Sequence, residues 1–550
     1  MSGAKSKLFL FVPILLAASA GAQEQKQTMS PPATAALQEA RDSYRKGAFD
    51  QAIAKYTEVL REDPGSGAAG AGIVRCYLKQ DKVHDAADSL QKALSVKPSD
   101  PDLKVAQGEL LFRQGKIYEA EKIFLDVINS GRRDARAYLG VAAVASASAM
   151  YAREHSMIVR AHEFDPSDPE VQREWMFTLS RPERIKAVEA YLTQPNTDDA
   201  EVRRSMSEYL NYLKAVQSKP HGHCRLSSDL SSTQTDLLPL LSDAHHLRGF
   251  GLPVVVNGKK SKLLLDTGAS GITINRKLAS RAGLQRISDL HVGGVGDKSE
   301  LEAYVAYAES IRIGDLEFRD CPIEVVDRRS VAEEEGLIGV NVFSKFLIEM
   351  DFPKWKLHLS ELPRRPGELA GKASLVQDEE ESEDESESVP SDDSAKKPQP
   401  TAKYFDRFIA PEMAAYTRAF RFGHMLLVPT KINDVPGKLF LLDSGAFNNM
   451  ITPDAAREVT KVRGSEDYIV KGVQGQVKNV YETDEITLEF SHLRQRMEDM
   501  VAFDLTNISR HVGTEISGTL GFAMLNLLKV RVDYRDALVD FQYIPDPRRR

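Results

Sequence analysis

Leu263-Leu264-Leu265-Asp266-Thr267-Gly268-Ala269-Ser270 and, further along the chain, Leu439-Phe440-Leu441-Leu442-Asp443-Ser444-Gly445-Ala446 are two renderings of one pattern. Each is an apolar run of strand length that ends in Asp, a hydroxyl residue and Gly. Alone, such a tripeptide says little, because Asp and Gly are common in any turn. The surroundings give it weight. Val254-Val255-Val256 and the hairpin signal Asn257-Gly258 precede the first copy. A glycine-rich Gly293-Gly294-Val295-Gly296 follows, and then an apolar Gly336-Leu337-Ile338-Gly339. The second copy keeps the order, with Gly472-Val473-Gln474-Gly475 and then Gly518-Thr519-Leu520-Gly521. Gly294 comes 28 residues after Asp266 and Gly472 comes 29 after Asp443; Gly339 and Gly521 follow their aspartates by 73 and 78. The exits match as well: Phe346-Leu347-Ile348-Glu349-Met350-Asp351 against Leu528-Lys529-Val530-Arg531-Val532-Asp533. One β-domain is therefore expected twice, over 246–361 and 420–546.

This duplicated set of motifs resembles the aspartic protease family in its retropepsin-like form, and the resemblance implies two all-β, closed-barrel domains. It also implies peptide-bond hydrolysis by a water activated between two carboxyls, here Asp266 and Asp443, with no metal or organic cofactor. Two acids so close cannot both ionise easily, so they share a proton. In the family the hydroxyl after each Asp, here Thr267 and Ser444, locks the two loops together. Gly268 and Gly445 let the backbone fold tightly behind the carboxyls. The glycine-rich stretches with Gly294, Gly296, Gly472 and Gly475 look like flaps that close over a peptide or protein substrate. The two aspartates pair either within one chain or each with its copy in a second chain. A non-catalytic scaffold that holds an extended peptide is the alternative of a different class. The second copy departs from the first where Phe447-Asn448-Asn449 replaces Ser270-Gly271-Ile272. His291 and His424 have no spacing that ties them to the aspartates, and a surface position is expected for both.

Upstream, residues 33–193 restate themselves every 34 residues. Pro64 and Pro98 keep that spacing, as do Ala52, Ala86 and Ala120, and Tyr44, Leu78 and Phe112. Small residues at fixed places let helices cross closely, and the prolines stop each second helix. The period resembles the tetratricopeptide repeat, an all-α solenoid, in units near 33–66, 67–100, 101–134 and 135–168 with a degenerate fifth to 193. Such an array offers a groove to a protein partner or packs as a spacer on the domains that follow. Residues 194–245 read as a connector.

The rest of the chain bounds the class. Its 550 residues are 42% hydrophobic and 28% charged, as in ordinary folded protein. A net charge of −8 argues against nucleic acid as a partner. Lys5 and Lys7 precede an apolar Leu8 to Ala20, and Ala20-Gly21-Ala22 closes the stretch. This predicts a signal peptide over 1–22, an exported protein (periplasmic or secreted), and no stable membrane insertion after its removal. Cys76, Cys224 and Cys321 are too few and too scattered to suggest a disulfide framework, and Cys224 beside His221 and His223 makes a weak metal motif. Between the β-domains, 362–419 reads as a disordered acidic linker, with eight acids in the eleven residues 378–388. As a flexible coil it spans roughly 40 Å, which is enough for the two domains to pair.

Overall fold

The computed structural model describes residues 31–194, 198–217, 224–241, 247–292, 301–327, 334–366, 404–465, 470–472 and 475–545. The expected signal peptide, His221, His223, Gly294, Gly296 and the acidic run lie outside them.

The first part is a helical repeat array. After a first pair, Pro31–Arg45 and Phe49–Glu62, four helices begin at strict 34-residue intervals: Gly67–Lys79, Pro101–Arg113, Ala135–Ala147 and Pro169–Phe177. Their partners Val83–Val96, Ile117–Asn129 and Tyr151–Phe164 keep the same interval. Asp100, Asp134 and Asp168 repeat at that period because each caps a helix, its carboxylate accepting two backbone N–H groups. The small residues mark crossings: a methyl on Gly108 would stand 2.5 Å from the Phe124 ring, and Ala52, Ala86 and Ala120 are fully buried. Charges on the first helices pair one repeat apart, Arg75 with Glu109 at 2.7 Å and Arg136 with Glu170 at 3.3 Å. The Tyr44 hydroxyl, from the first repeat, also donates to Glu170, at 2.9 Å.

The second part is β-rich and built from curled sheets. A nine-stranded sheet carries the first aspartate and a ten-stranded sheet the second. Between them runs a six-stranded sheet made by both halves, where exit strand Phe346–Asp351 pairs antiparallel with exit strand Leu528–Asp533, Ile348 opposite Val532. The two self-contained barrels suggested by the sequence are thus, at the level of hydrogen-bonded ladders, two curled sheets that share a third. They share a core too. Phe522 of the second half packs edge-on against Phe250 of the first at 5.4 Å, and Phe250 stacks on Phe352 at 5.6 Å.

Three segments depart from the expectation. The connector 194–245 is not a passive link: it holds helix Ala200–Gln217, and its strands Ser232–Asp236 and Leu238–Leu241 extend the six- and nine-stranded sheets. The two ends of the expected disordered linker are packed. Arg365 and the N–H of Phe408 both bond the buried Asp536 carboxylate, at 2.6 and 2.8 Å, and Thr417–Arg418 pairs with strand Leu538–Tyr543. Cys224 and Cys321 form a disulfide. Strand pairing of Arg225 with Arg319 sets these cysteines side by side, which their separation of 97 residues does not suggest.

The array is docked on the second half. Ile117, Val144 and Ala147 join Phe420, Leu427, Leu439 and Leu441 in one apolar cluster. The Thr514 hydroxyl donates to the Phe112 carbonyl at 2.6 Å, and Asp81 pairs with both Arg113 and Arg510. Phe420 is 4% exposed, and its ring centroid lies 5.3 Å from that of Tyr118. Truncation of such a ring costs about 3 kcal/mol or more. Phe420→Ala is expected to lower the melting temperature of the whole chain, and calorimetry of the wild type should show the array and the second half unfolding together. An array that melts in its own separate transition would contradict the shared core.

Candidate active site

Each aspartate ends an apolar strand. Lys259–Asp266 lies parallel to Gly336–Gly339, with Asp266 opposite Gly339; Val435–Asp443 lies parallel to Gly518–Gly521, with Asp443 opposite Gly521. Only glycine fits opposite, because the loop after each aspartate passes directly beneath. The Gly339 N–H donates to the Gly271 carbonyl at 2.7 Å, and the Gly521 N–H donates to the Asn449 side chain at 2.7 Å.

The two loops then cross-bond. The Thr267 hydroxyl donates to the Leu442 carbonyl at 2.8 Å and accepts from the Ser444 N–H at 2.8 Å. In return the Ser444 hydroxyl donates to the Leu265 carbonyl at 3.0 Å and accepts from the Thr267 N–H at 3.1 Å. Both hydroxyl residues are buried, at 1% and 2% exposure. This two-fold exchange brings the two carboxyls together, each against the glycine of the opposite loop. Gly268 and Gly445 have a reason for being glycine that differs from the tight fold behind the carboxyl expected from the sequence. A methyl on Gly268 would lie 2.9 Å from the Asp443 carboxyl carbon, and one on Gly445 would lie 2.5 Å from that of Asp266. Each glycine leaves room for the carboxyl of the opposite half.

Electrostatics favour a retained proton. Burial raises the Asp266 carboxyl, the neighbouring Asp443 charge raises it further, and it is pushed up to about 8 against hydrogen bonds from Gly268 and Gly445. Asp443 is also raised by burial, opposed by the N–H groups of Ala446 and Gly445. Those donors bond its Oδ1 at 2.9 and 3.0 Å.

Of the other residues singled out by sequence, Gly472 and Gly475 face each other across a small hairpin. His291 sits at the surface, where its Nδ1 meets Glu208 at 2.8 Å. His424 does not. It is half-buried, and its Nε2–H donates to the Gly268 carbonyl at 3.2 Å, so an imidazole of the second half touches the first half's aspartate loop. Burial lowers its pKa and favours the neutral ring. Sequence reasoning also passes over Tyr534. Burial and the nearby Asp266 charge both push its phenol upward, while Arg421 lies over its ring and donates to its carbonyl at 2.7 Å.

Residues 252–342 match the family model described as aspartyl protease, a span that includes Asp266, Thr267, Gly268 and Gly339 and ends before the second copy. Residues 43–87 and 71–137 match two models of the tetratricopeptide repeat. No curated protein matches the chain. Solved structures similar to part of it include the first tetratricopeptide repeat of Spaghetti (RPAP3) bound to an HSP90 peptide, at 20% identity and TM-score 0.19, covering 21% of this chain and 93% of that one. PilF of Pseudomonas aeruginosa is another, at 16% identity and TM-score 0.23, covering 34% and 82%.

A carboxyl with a raised folded-state pKa stays protonated while its unfolded counterpart ionises. Its contribution to stability is therefore full below the unfolded pKa and is lost as pH rises through the folded one. Asp266→Asn removes that loss. The mutant's gain in melting temperature over wild type should be near zero at about pH 4 and grow toward pH 8, as read by thermal denaturation across that range. A constant difference would contradict the shared buried proton. On the matches, the chain carries an aspartyl protease domain that follows tetratricopeptide repeats.

Proposed function

We propose that the chain is an exported aspartic endopeptidase built from two retropepsin-like lobes. In this reading Asp266 and Asp443 of one chain activate the hydrolytic water. The observation that carries the reading is the convergence of two half-buried carboxyls, each seated against the glycine of the opposite cross-bonded loop and both with raised pKa. Such a pair holds one proton near neutral pH. The ionised member takes a proton from a water seated between them. The protonated member donates a hydrogen bond to the scissile carbonyl and stabilises the oxyanion as the water oxygen attacks. The proton gained from water then passes to the leaving amine, and the pair returns to its singly protonated state. The hairpin around Gly472 and Gly475 would cover the peptide and exclude water.

Pairing within the chain is favoured over pairing between chains. The Thr267–Ser444 exchange and the sheet shared by the two exit strands join the halves of a single molecule. The Cys224–Cys321 disulfide suits an oxidising compartment and so supports export, either to the periplasm or out of the cell. The repeats are proposed to receive a protein partner or substrate on faces not spent on docking the second half.

Asp266→Asn and Asp443→Asn should each abolish turnover of a fluorogenic peptide library while leaving the fold intact. Mixing the two mutants should restore nothing. Wild-type activity should fall above about pH 8, where the shared proton is lost. Recovery in the mixture would move the pair between chains. A folded wild type that cleaves nothing at any pH would leave a peptide-binding scaffold instead.

A further inference from the structure

Side chains of the first and fifth repeats can meet only across the inside of the array's curve, and they do. The opening helix of every repeat contributes to one polar chain there. Tyr44, on Pro31–Arg45, donates to Glu170 at 2.9 Å. Glu170, on Pro169–Phe177, pairs with Lys79 of Gly67–Lys79 at 3.0 Å and with Arg136 of Ala135–Ala147 at 3.3 Å. Arg136 lies 3.6 Å from Glu109 of Pro101–Arg113, and Glu109 holds Arg75 at 2.7 Å. The Arg136 guanidinium also stands 5.9 Å from the centre of the Tyr44 ring. A small cavity is left, lined in part by Tyr44, Phe49, Lys79, Arg136 and Glu170. The concave face is thus crossed by the array's own side chains.

Glu170 sits in this setting as a ligand would. A hydroxyl and two cations from three repeats converge on its carboxylate, whose own main chain belongs to another. Its helix does not need it as a cap, since Asp168 fills that place. Burial raises its carboxyl, yet Arg136, Lys79 and Arg173 together hold it well below the usual carboxylate range. Without Glu170, Arg136 would keep Asp168 at 2.7 Å, but Tyr44, Lys79 and one arm of Arg136 would each lose an acceptor. Charge-assisted hydrogen bonds would then favour any carboxylate able to reach them. The first repeat can make room. Its apolar cluster closes within Pro31–Arg45, Phe49–Glu62 and Gly67–Lys79. The contacts that dock the array on the second half, described above, begin at Asp81, beyond that repeat.

We propose that Glu170 occupies the concave face in place of a partner, and that the array receives there a peptide bearing Asp or Glu, which displaces Glu170 from Tyr44, Lys79 and Arg136 as the first repeat moves aside. This rests on the reading of the repeats as a receiving element and names the chemistry of what they receive. The closed form lowers the apparent affinity by the fraction of molecules that are open.

The test uses full-length protein carrying Asp266→Asn, so that hydrolysis does not consume the probe. Fluorescence anisotropy compares a short labelled peptide of Gly, Ser and Glu with its Gln counterpart. Adding Glu170→Gln should tighten Kd for the Glu peptide roughly tenfold and leave that for the Gln peptide unchanged. Adding Lys79→Gln as well should remove most of the gain. No tightening in Glu170→Gln would overturn the proposal, as would an equal gain for the Gln peptide or a gain that survives Lys79→Gln. If Glu170→Gln does not fold, amide exchange without that substitution decides: saturating Glu peptide should speed exchange in Pro31–Arg45, and slower or unchanged exchange would overturn the opening. Peptide turnover by wild type is read separately. Failure of the binding test leaves the protease reading standing, and binding as expected in a chain that cleaves nothing leaves this proposal standing.

Discussion

Everything near the candidate site depends on four hydrogen bonds exchanged between Thr267 and Ser444 and the strands they face. Two carboxyls brought together away from water repel each other unless a proton is shared, and their burial is unfavourable in any case. They do not attract the halves to one another. The hydroxyl exchange, buried beneath them, holds the loops in register so that the carboxyls have no other place to go. Glycine at 268 and 445 is the matching concession, since any side chain there would occupy the opposite carboxyl's position.

Rigidity at that point has to be supplied from outside it. The exit strands provide one clamp, because their six-stranded sheet ties residues just past each aspartate's own sheet into a common layer. Phe522 provides another by crossing into the first half's aromatic cluster. The buried pair Arg365–Asp536 fastens the chain on one side of the acidic segment, and the Phe408 N–H fastens it on the other to the same carboxylate. The long insertion thus leaves and re-enters at one place, which costs the fold little in loop closure.

Much of this was legible from residue order. The 34-residue period locates the helices that begin at Gly67, Pro101 and Ala135, while the first begins at Pro31 and falls out of step, because the small residues and prolines that carry the period answer to packing between adjacent helices, a local matter. The two Asp–hydroxyl–Gly motifs likewise announce themselves through spacing to later glycines, whose need is local to a strand passing over a loop. What spacing does not reveal is contact across the pseudo-two-fold. His424 meets Gly268 across 156 residues, and Cys224 meets Cys321 across 97. Neither partner repeats, and neither lies within one element. The connector strands were hidden for a related reason: Ser232–Asp236 alternates between exposed and half-buried residues as an edge strand, without the apolar run that marks an interior one.

The docking of the repeats was written in the sequence as a difference between the two copies. Leu439 and Leu441 stand four and two residues before Asp443; Lys262 and Leu264 hold those places before Asp266. Leu427 likewise stands where the first copy has Gly251. A strand with one face to the core and one to solvent alternates, whereas one buried on both faces reads as an unbroken apolar run. Leu439-Phe440-Leu441-Leu442 is such a run, and its second face, Leu439 and Leu441, meets Ile117 and Val144 of the array. The first copy keeps Lys262 on that face and pairs it with Glu334 near solvent. The motif reading treats the copies as equivalent because it weighs only what they share. The residues they do not share distinguish a half that faces water from a half that is the floor of the helical array. Removal of the array would therefore expose an apolar surface on the half that carries Asp443, so the array's structural part is inseparable from any recruiting one.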